Sequence, residues 1–125
     1  MSLSPAATRF TRNTEVTVFA VPGEGPPLLS EQDAVDLIGE SYGSGADTIV
    51  IPVARLHPDF LRLRTRAAGL FLQKFANYGM RVAIVGDIGR WTAESSALRD
   101  FVRESNAHGR VLFVEDAAEL ERRLG

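Results

Sequence analysis

Four stretches of the chain concentrate apolar residues in the short runs that strands need, and longer stretches with apolar positions three and four apart separate them. Glu15-Val16-Thr17-Val18-Phe19-Ala20-Val21 is rich in β-branched and aromatic residues and closes on Pro22-Gly23, which predicts a strand. Asp47-Thr48-Ile49-Val50-Ile51-Pro52-Val53 is nearly continuous in apolar residues. That pattern suits a central parallel strand covered on both faces, with Pro52 near the end where a ladder bond can be spared. Met80 to Gly86 and Arg110 to Val114 read as the third and fourth strands. Ser30-Glu31-Gln32-Asp33 has the form of a capping box. The helix it opens places Ala34, Leu37, Ile38 and Tyr42 on one stripe and stops at Gly43-Ser44-Gly45.

A second, longer helix begins between Pro58 and Thr65 and runs to Tyr78, with Ala68, Leu72, Phe75 and Tyr78 on its stripe and Gly79 as its stop. Asp87 to Thr92 reads as a loop. Ala93 to Asn106 is an amphipathic helix through Ala97, Leu98, Phe101 and Val102, and Asp116 to Leu124 is a short terminal helix. The order β(β)αβαβαβα implies right-handed crossovers and a single three-layer-type α/β domain with a mainly parallel sheet of four or five strands. Its expected core is Val16, Val18, Phe19, Ile49, Ile51, Val82, Ile84, Val111 and Phe113. Helices on the two faces are expected to bury Leu37, Ile38, Leu72, Phe75, Leu98 and Phe101. Residues 1–14 are expected to be a flexible arm or, around Thr8 to Arg12, an edge strand; residues 15–125 form the domain.

Composition narrows the function more than it names it. At 125 residues and 45% hydrophobic content the chain fits one globular domain. No apolar run reaches the roughly 20 residues of a membrane span, and the polar start that ends in Arg12 does not resemble a signal peptide, so a cytoplasmic setting is expected. The lack of cysteine excludes a disulfide scaffold, a thiolate nucleophile and Cys-based zinc. Lys74 is the single lysine among 14 Lys and Arg residues, which fits the coding bias of a GC-rich bacterium. A net charge of −2 argues against nucleic acid as a partner.

That net charge conceals an asymmetry. Asn13 to Ala54 carries seven acids (Glu15, Glu24, Glu31, Asp33, Asp36, Glu40, Asp47) and no Lys or Arg, whereas Arg55 to Val114 carries ten basic residues against five acids. Arg55, Arg62, Arg64 and Arg66 cluster between a strand and a helix, where guanidinium forks can clamp a carboxylate or phosphate. A solvated face, or pairing with the acidic first helix, accounts for them as well. Trp91 lies in the next strand-to-helix connection, and in a parallel sheet both connections emerge at the carboxyl edge, where ligands are held. The expected binding rim is therefore Arg55, His57, Asp59, Arg62, Arg64, Thr65, Asp87, Arg90 and Trp91. Within it, His57 and Asp59 are the weak candidates for a histidine oriented by a carboxylate.

Other features have plainer explanations. Asp33, Asp36 and Glu40 share one side of the first helix as a solvated face does. His108 suits the carbonyl end of a helix, and Ser95 and Ser96 lack a nucleophile-elbow context and suit a helix cap. Gly86-Asp87-Ile88-Gly89 lies between strand and helix but lacks the residues of a phosphate loop or dinucleotide fingerprint. No metal and no cofactor are expected.

Several blocks carry a family resemblance: Ser30 to Gly39, Gly45-Ala46-Asp47, Ile51-Pro52-Val53, Asp59-Phe60, Gln73-Lys74-Phe75, Val85-Gly86-Asp87 and Leu98 to Asn106. They resemble the bacterial family catalogued as domain of unknown function 4180, over about residues 28 to 124. The resemblance implies no activity. It does imply a glycine and an acid where this chain has Arg66 and Leu70. More loosely, the element order, the length and the turn at Gly23-Glu24 resemble the STAS fold of sulfate transporters and anti-sigma factor antagonists. Those antagonists carry a phosphorylatable residue at the start of the second helix. Leu63-Arg64-Thr65-Arg66 lacks their motif, and only Thr65 stands in its place. The function expected is a non-enzymatic regulatory or protein-interaction module, binding a protein partner or a second copy. The alternative is a small-molecule or anion-binding protein, or small enzyme, using the loops 55–66 and 87–91.

Overall fold

The strands lie in the sheet in the order in which they occur in the chain: β1 (Ala7–Thr11), β2 (Glu15–Ala20), β3 (Thr48–Pro52), β4 (Arg81–Val85) and β5 (Val111–Val114). The computed structural model describes residues 7–11, 15–62 and 66–124. β1 pairs with β2 antiparallel, and β2 through β5 are all parallel. The register aligns Phe19, Ile49, Val82 and Val111 in one row, and Ile51, Ile84 and Phe113 in the next. With a side-chain period of two, those rows face one side of the sheet, and Val18, Ala83, Leu112 and Val114 face the other.

Five helices complete the described residues: α1 (Glu31–Ser41), α2 (Ala67–Asn77), α3 (Gly89–Glu94), α4 (Ser96–His108) and α5 (Ala117–Leu124). Sequential strand order, with crossovers of one hand, sends every crossover helix to the same face. Ala34, Leu37 and Ile38 of α1, Phe71, Leu72 and Phe75 of α2 and Leu98 of α4 accordingly share one core with Ile49, Ile51, Val82 and Ile84. The opposite face is covered by α5 through Leu120 and Leu124. The result is a three-layer α/β domain with unequal outer layers. Each fully buried Ile, Leu or Phe of that core contributes roughly 1.5–3 kcal/mol. Phe60, Phe71 and Phe75 form its aromatic centre, with ring centroids 5.2 and 5.3 Å apart. The Val16 side chain lies outside the described residues.

Local chemistry sets the helix boundaries. Ser30 Oγ accepts from the Asp33 N–H at 3.1 Å, and the Asp33 carboxylate accepts from the Ser30 and Leu29 N–H groups, each at 2.9 Å. The expected capping box is therefore formed. Two stripe residues depart from expectation: Tyr42 and Tyr78 are exposed. Both occupy helix C-caps, where the chain leaves helical geometry and a spacing of three or four no longer points into the core. Phe71 occupies the position the stripe omitted.

A second correction concerns Asp87 to Thr92, which was expected as a loop and contains most of α3. The Asp87 carboxylate accepts from the Gly89 N–H at 2.8 Å and turns the chain into that single short helix. The expected continuous helix from Ala93 breaks at Ser95, which is extended and caps α4 by accepting from the Leu98 N–H at 3.0 Å.

Candidate functional site

Three connections meet at the carboxyl edge, and the β2–α1 and β3–α2 connections are zipped together by backbone. Leu28 N–H donates to the Arg55 carbonyl at 2.9 Å, and His57 N–H donates to the Leu28 carbonyl at 3.0 Å. Arg55 finishes the closure. Its Nε donates to the Pro26 carbonyl at 2.7 Å, while a terminal nitrogen donates to the carbonyls of Pro22 (3.1 Å) and Glu24 (3.2 Å). Gly25 makes this approach possible: at φ +140° it has a backbone that L side chains rarely adopt, and a Cβ there would come within 2.5 Å of Arg55 Cζ. Arg55 thus holds a proline-rich loop that has carbonyls but few donors of its own. Its charge also bears on Asp33. Burial raises that carboxyl, but hydrogen bonds from Leu29 and Ser30, with the Arg55 charge, outweigh it and leave Asp33 below the usual carboxylate range.

His57 and Asp59 are adjacent but not arranged as a catalytic pair. His57 Nδ1 accepts from the Asp59 backbone N–H at 3.0 Å, so the neutral ring carries its proton on Nε2. An Nδ1 used as acceptor cannot also donate to a carboxylate, and the Asp59 oxygen stands 3.9 Å away. Asp59 instead faces Arg62, at 3.6 Å. Phe60 and Leu61, both buried, anchor this turn in the core.

Arg62 is shared with a second group. It lines an open groove of about 840 Å³ together with Leu61, Arg90, Trp91, Glu94, Ser95 and Ala97. Arg90 Cζ lies 4.4 Å from the centre of the Trp91 ring, a cation–π stack. Trp91 is half-buried, packing one side against the main core. Asp87 does not join this groove. It lines a separate hollow of about 410 Å³ with Gly86, Glu115 and Glu119, and there the Glu119 carboxylate already accepts from the Glu115 N–H at 2.9 Å.

The expected rim therefore divides. Arg62, Arg90 and Trp91 come together; His57 and Asp59 adjoin them through Arg62; Arg55 is turned into the fold and Asp87 faces elsewhere. Arg64 and Thr65 lie outside the described residues. Leu61, Glu94, Ser95 and Ala97 also line the groove, outside the expected rim: Glu94, Ser95 and Ala97 are expected within one continuous helix, and the break at Ser95 that separates α3 from α4 leaves no periodic mark in the chain. Among the described residues no three His, Asp or Glu side chains converge as a metal site requires. No helix among them is long and apolar enough to cross a membrane.

The architecture defines the class first: a small α/β domain with four parallel strands in sequential order and its loops gathered at one edge. The chain belongs to the family described as Domain of unknown function (DUF4180), whose model matches residues 13–124. No curated protein and no solved structure matches it.

The family resemblance placed a glycine at position 66, and the backbone there has a matching peculiarity. Arg66 caps α2 at φ 62°, the only non-glycine residue with positive φ among those described. Leu70, one turn on, is exposed.

Proposed function

We propose that this domain is a non-enzymatic regulatory module of STAS-like organisation, which takes an acidic segment of a partner protein into the groove between Arg62 and Trp91. The observation that carries the reading is the Arg90–Trp91 stack beside Arg62 on one open groove. Trp and Arg at the centre of a contact surface are the residues that dominate binding energy. A stacked guanidinium keeps its edge free for a carboxylate while its face covers the ring. The engaged Nδ1 of His57 speaks against acid–base chemistry as the principal role. A cytoplasmic bacterial setting belongs to the same proposal.

The test is affinity capture from the native host with wild type and with an Arg62→Ala/Arg90→Ala variant, at two salt concentrations. The partner should be retained by wild type and lost at least tenfold from the variant, with an unchanged melting temperature. Retention by wild type should fall with salt, because charges are screened over about 10 Å at 0.1 M. Equal capture by both proteins at both salts would remove the groove from the interaction.

A further inference from the structure

The opposite edge of the sheet gathers cations of a different kind. β4 begins with Arg81 and β5 is immediately preceded by Arg110, and each arginine follows closely on a helix-stopping glycine: Gly79-Met80-Arg81 and Gly109-Arg110. The two strands are parallel neighbours, with Val82 opposite Val111 and the Val82 N–H donating to the Arg110 carbonyl at 3.0 Å. Arg81 and Arg110 therefore stand one position before that pair, at the same level of the sheet. Each is two residues before a side chain on the α5 face, Ala83 and Leu112 respectively, so both belong to that face. Arg123 of α5 and His108 at the end of α4 close over them. The four basic residues line one cleft of about 470 Å³ with Asp47 and Thr48.

What separates this cluster from the arginines of the carboxyl edge is the lack of anything to hold. Among the described residues, Arg81, Arg110 and His108 have no carboxylate within ion-pair distance and no side-chain hydrogen bond. Arg123 uses one nitrogen on the Asn106 carbonyl at 2.7 Å. Among the described residues the one acid lining the cleft is Asp47, which accepts from the Thr48 hydroxyl at 3.0 Å. Like charges side by side on neighbouring strands destabilise a sheet, and a concave surface with an excess of one sign of charge, here three arginines against Asp47, concentrates the field that draws in a counter-ion. The cleft falls in the size range of small-ligand sites, roughly 300–1,000 Å³, and guanidinium forks match phosphate oxygens two at a time.

We infer that the amino-edge cleft is a binding site for a small phosphorylated ligand, with Arg81 and Arg110 as its principal anion holders and Arg123 and His108 at its mouth. The inference is independent of the partner groove, which lies at the other end of the strands. A multiply charged phosphate is favoured over an acidic peptide because the cations converge in a cleft and are not spread along a track.

The experiment follows backbone amide shifts of the full chain during titration with inorganic pyrophosphate, against sodium chloride at equal ionic strength. Wild type should show saturable shifts confined to residues around 79–82, 108–111 and 123, and its melting temperature should rise with pyrophosphate. An Arg81→Gln/Arg110→Gln variant should weaken binding at least tenfold, while Arg62→Gln/Arg90→Gln should bind as wild type does. Shifts that do not saturate, shifts mapping to the carboxyl edge, or equal binding by the Arg81/Arg110 variant would each overturn the assignment. So would preferential binding of a polyglutamate peptide over pyrophosphate, which would make the cleft a peptide contact. Amide spectra of the variants in buffer establish that they fold, so that weakened binding is read on an intact domain.

Discussion

The two edges of the sheet hold similar numbers of guanidinium groups and use them in opposite ways. At the carboxyl edge Arg55 donates to three carbonyls, Arg62 faces Asp59, and Arg90 lies on Trp91. At the amino edge Arg81 and Arg110 stand side by side without an acceptor among the described residues. The density of arginines along the chain points to the first edge. The distribution of acceptors points to the second. An arginine cluster in a sequence is thus a count of donors, and what such a cluster can bind depends on how many donors the fold has already engaged.

The sharpest way to break this comparison is to remove one arginine from each edge. Arg55→Ala should cost about 2–3 kcal/mol, because it strips a charged donor from three loop carbonyls. Arg110→Ala should change stability by no more than about 0.5 kcal/mol, as surface substitutions away from such features do. Thermal or urea unfolding of the two variants measures the difference, and equal losses would dissolve the distinction between the edges.

An intermediate effect is expected at Asn106, at the outer side of β5. Its side-chain amide donates to the Phe113 carbonyl at 3.2 Å and accepts from the Phe113 N–H at 2.7 Å, filling backbone positions that an edge strand otherwise leaves open. Asn106→Ala should cost roughly 1–2 kcal/mol for two exchanged hydrogen bonds. It should also raise self-association, read by light scattering against wild type at matched concentration. Its carbonyl is the group that Arg123 holds, so the variant also tests whether the amino-edge cleft tolerates a loosened neighbour.

A small effect of the opposite sign belongs to Arg66. A left-handed backbone costs an L-residue about 1–2 kcal/mol, and glycine returns about 0.5–1 kcal/mol of that as lost chain entropy. Arg66→Gly should therefore stabilise by about 0.5–1 kcal/mol, visible as a melting temperature a few degrees higher. A lowered one would mean that the Arg66 side chain supports the start of α2.

Most of the architecture was legible because it rests on period. The alternation in β2, the apolar runs of β3 and β4 and the capping box at Ser30 each carry their own local signal, and the order of elements then limits the sheet to few topologies. The site was less legible, for two physical reasons. A helix of one turn and a half, such as α3, is too short to show a repeat, and its start depends on a single Asp87 turn. The roles of Arg55, Arg81 and Arg110 depend on partners 29 to 33 residues away or on a neighbouring strand, contacts for which the chain carries no periodic mark. The glycine before β4 and before β5 was the available clue to the amino-edge pair, since it fixes where the strand begins and hence where the arginine at its entrance lies.

The sequential strand order has a consequence for how the molecule is made. From β2 onward every described strand pairs with the strand before it in the chain, so each pairing closes only one hairpin or one crossover. Such topologies have modest contact order and fold faster than sheets whose neighbours lie far apart in sequence. A chain emerging from the ribosome can add one strand and one helix at a time to the growing edge. The last helix is the exception: α5 docks on the opposite face over β4 and β5, and can do so only when both strands are in place. The arrival of α5 is therefore the event that seals the second core.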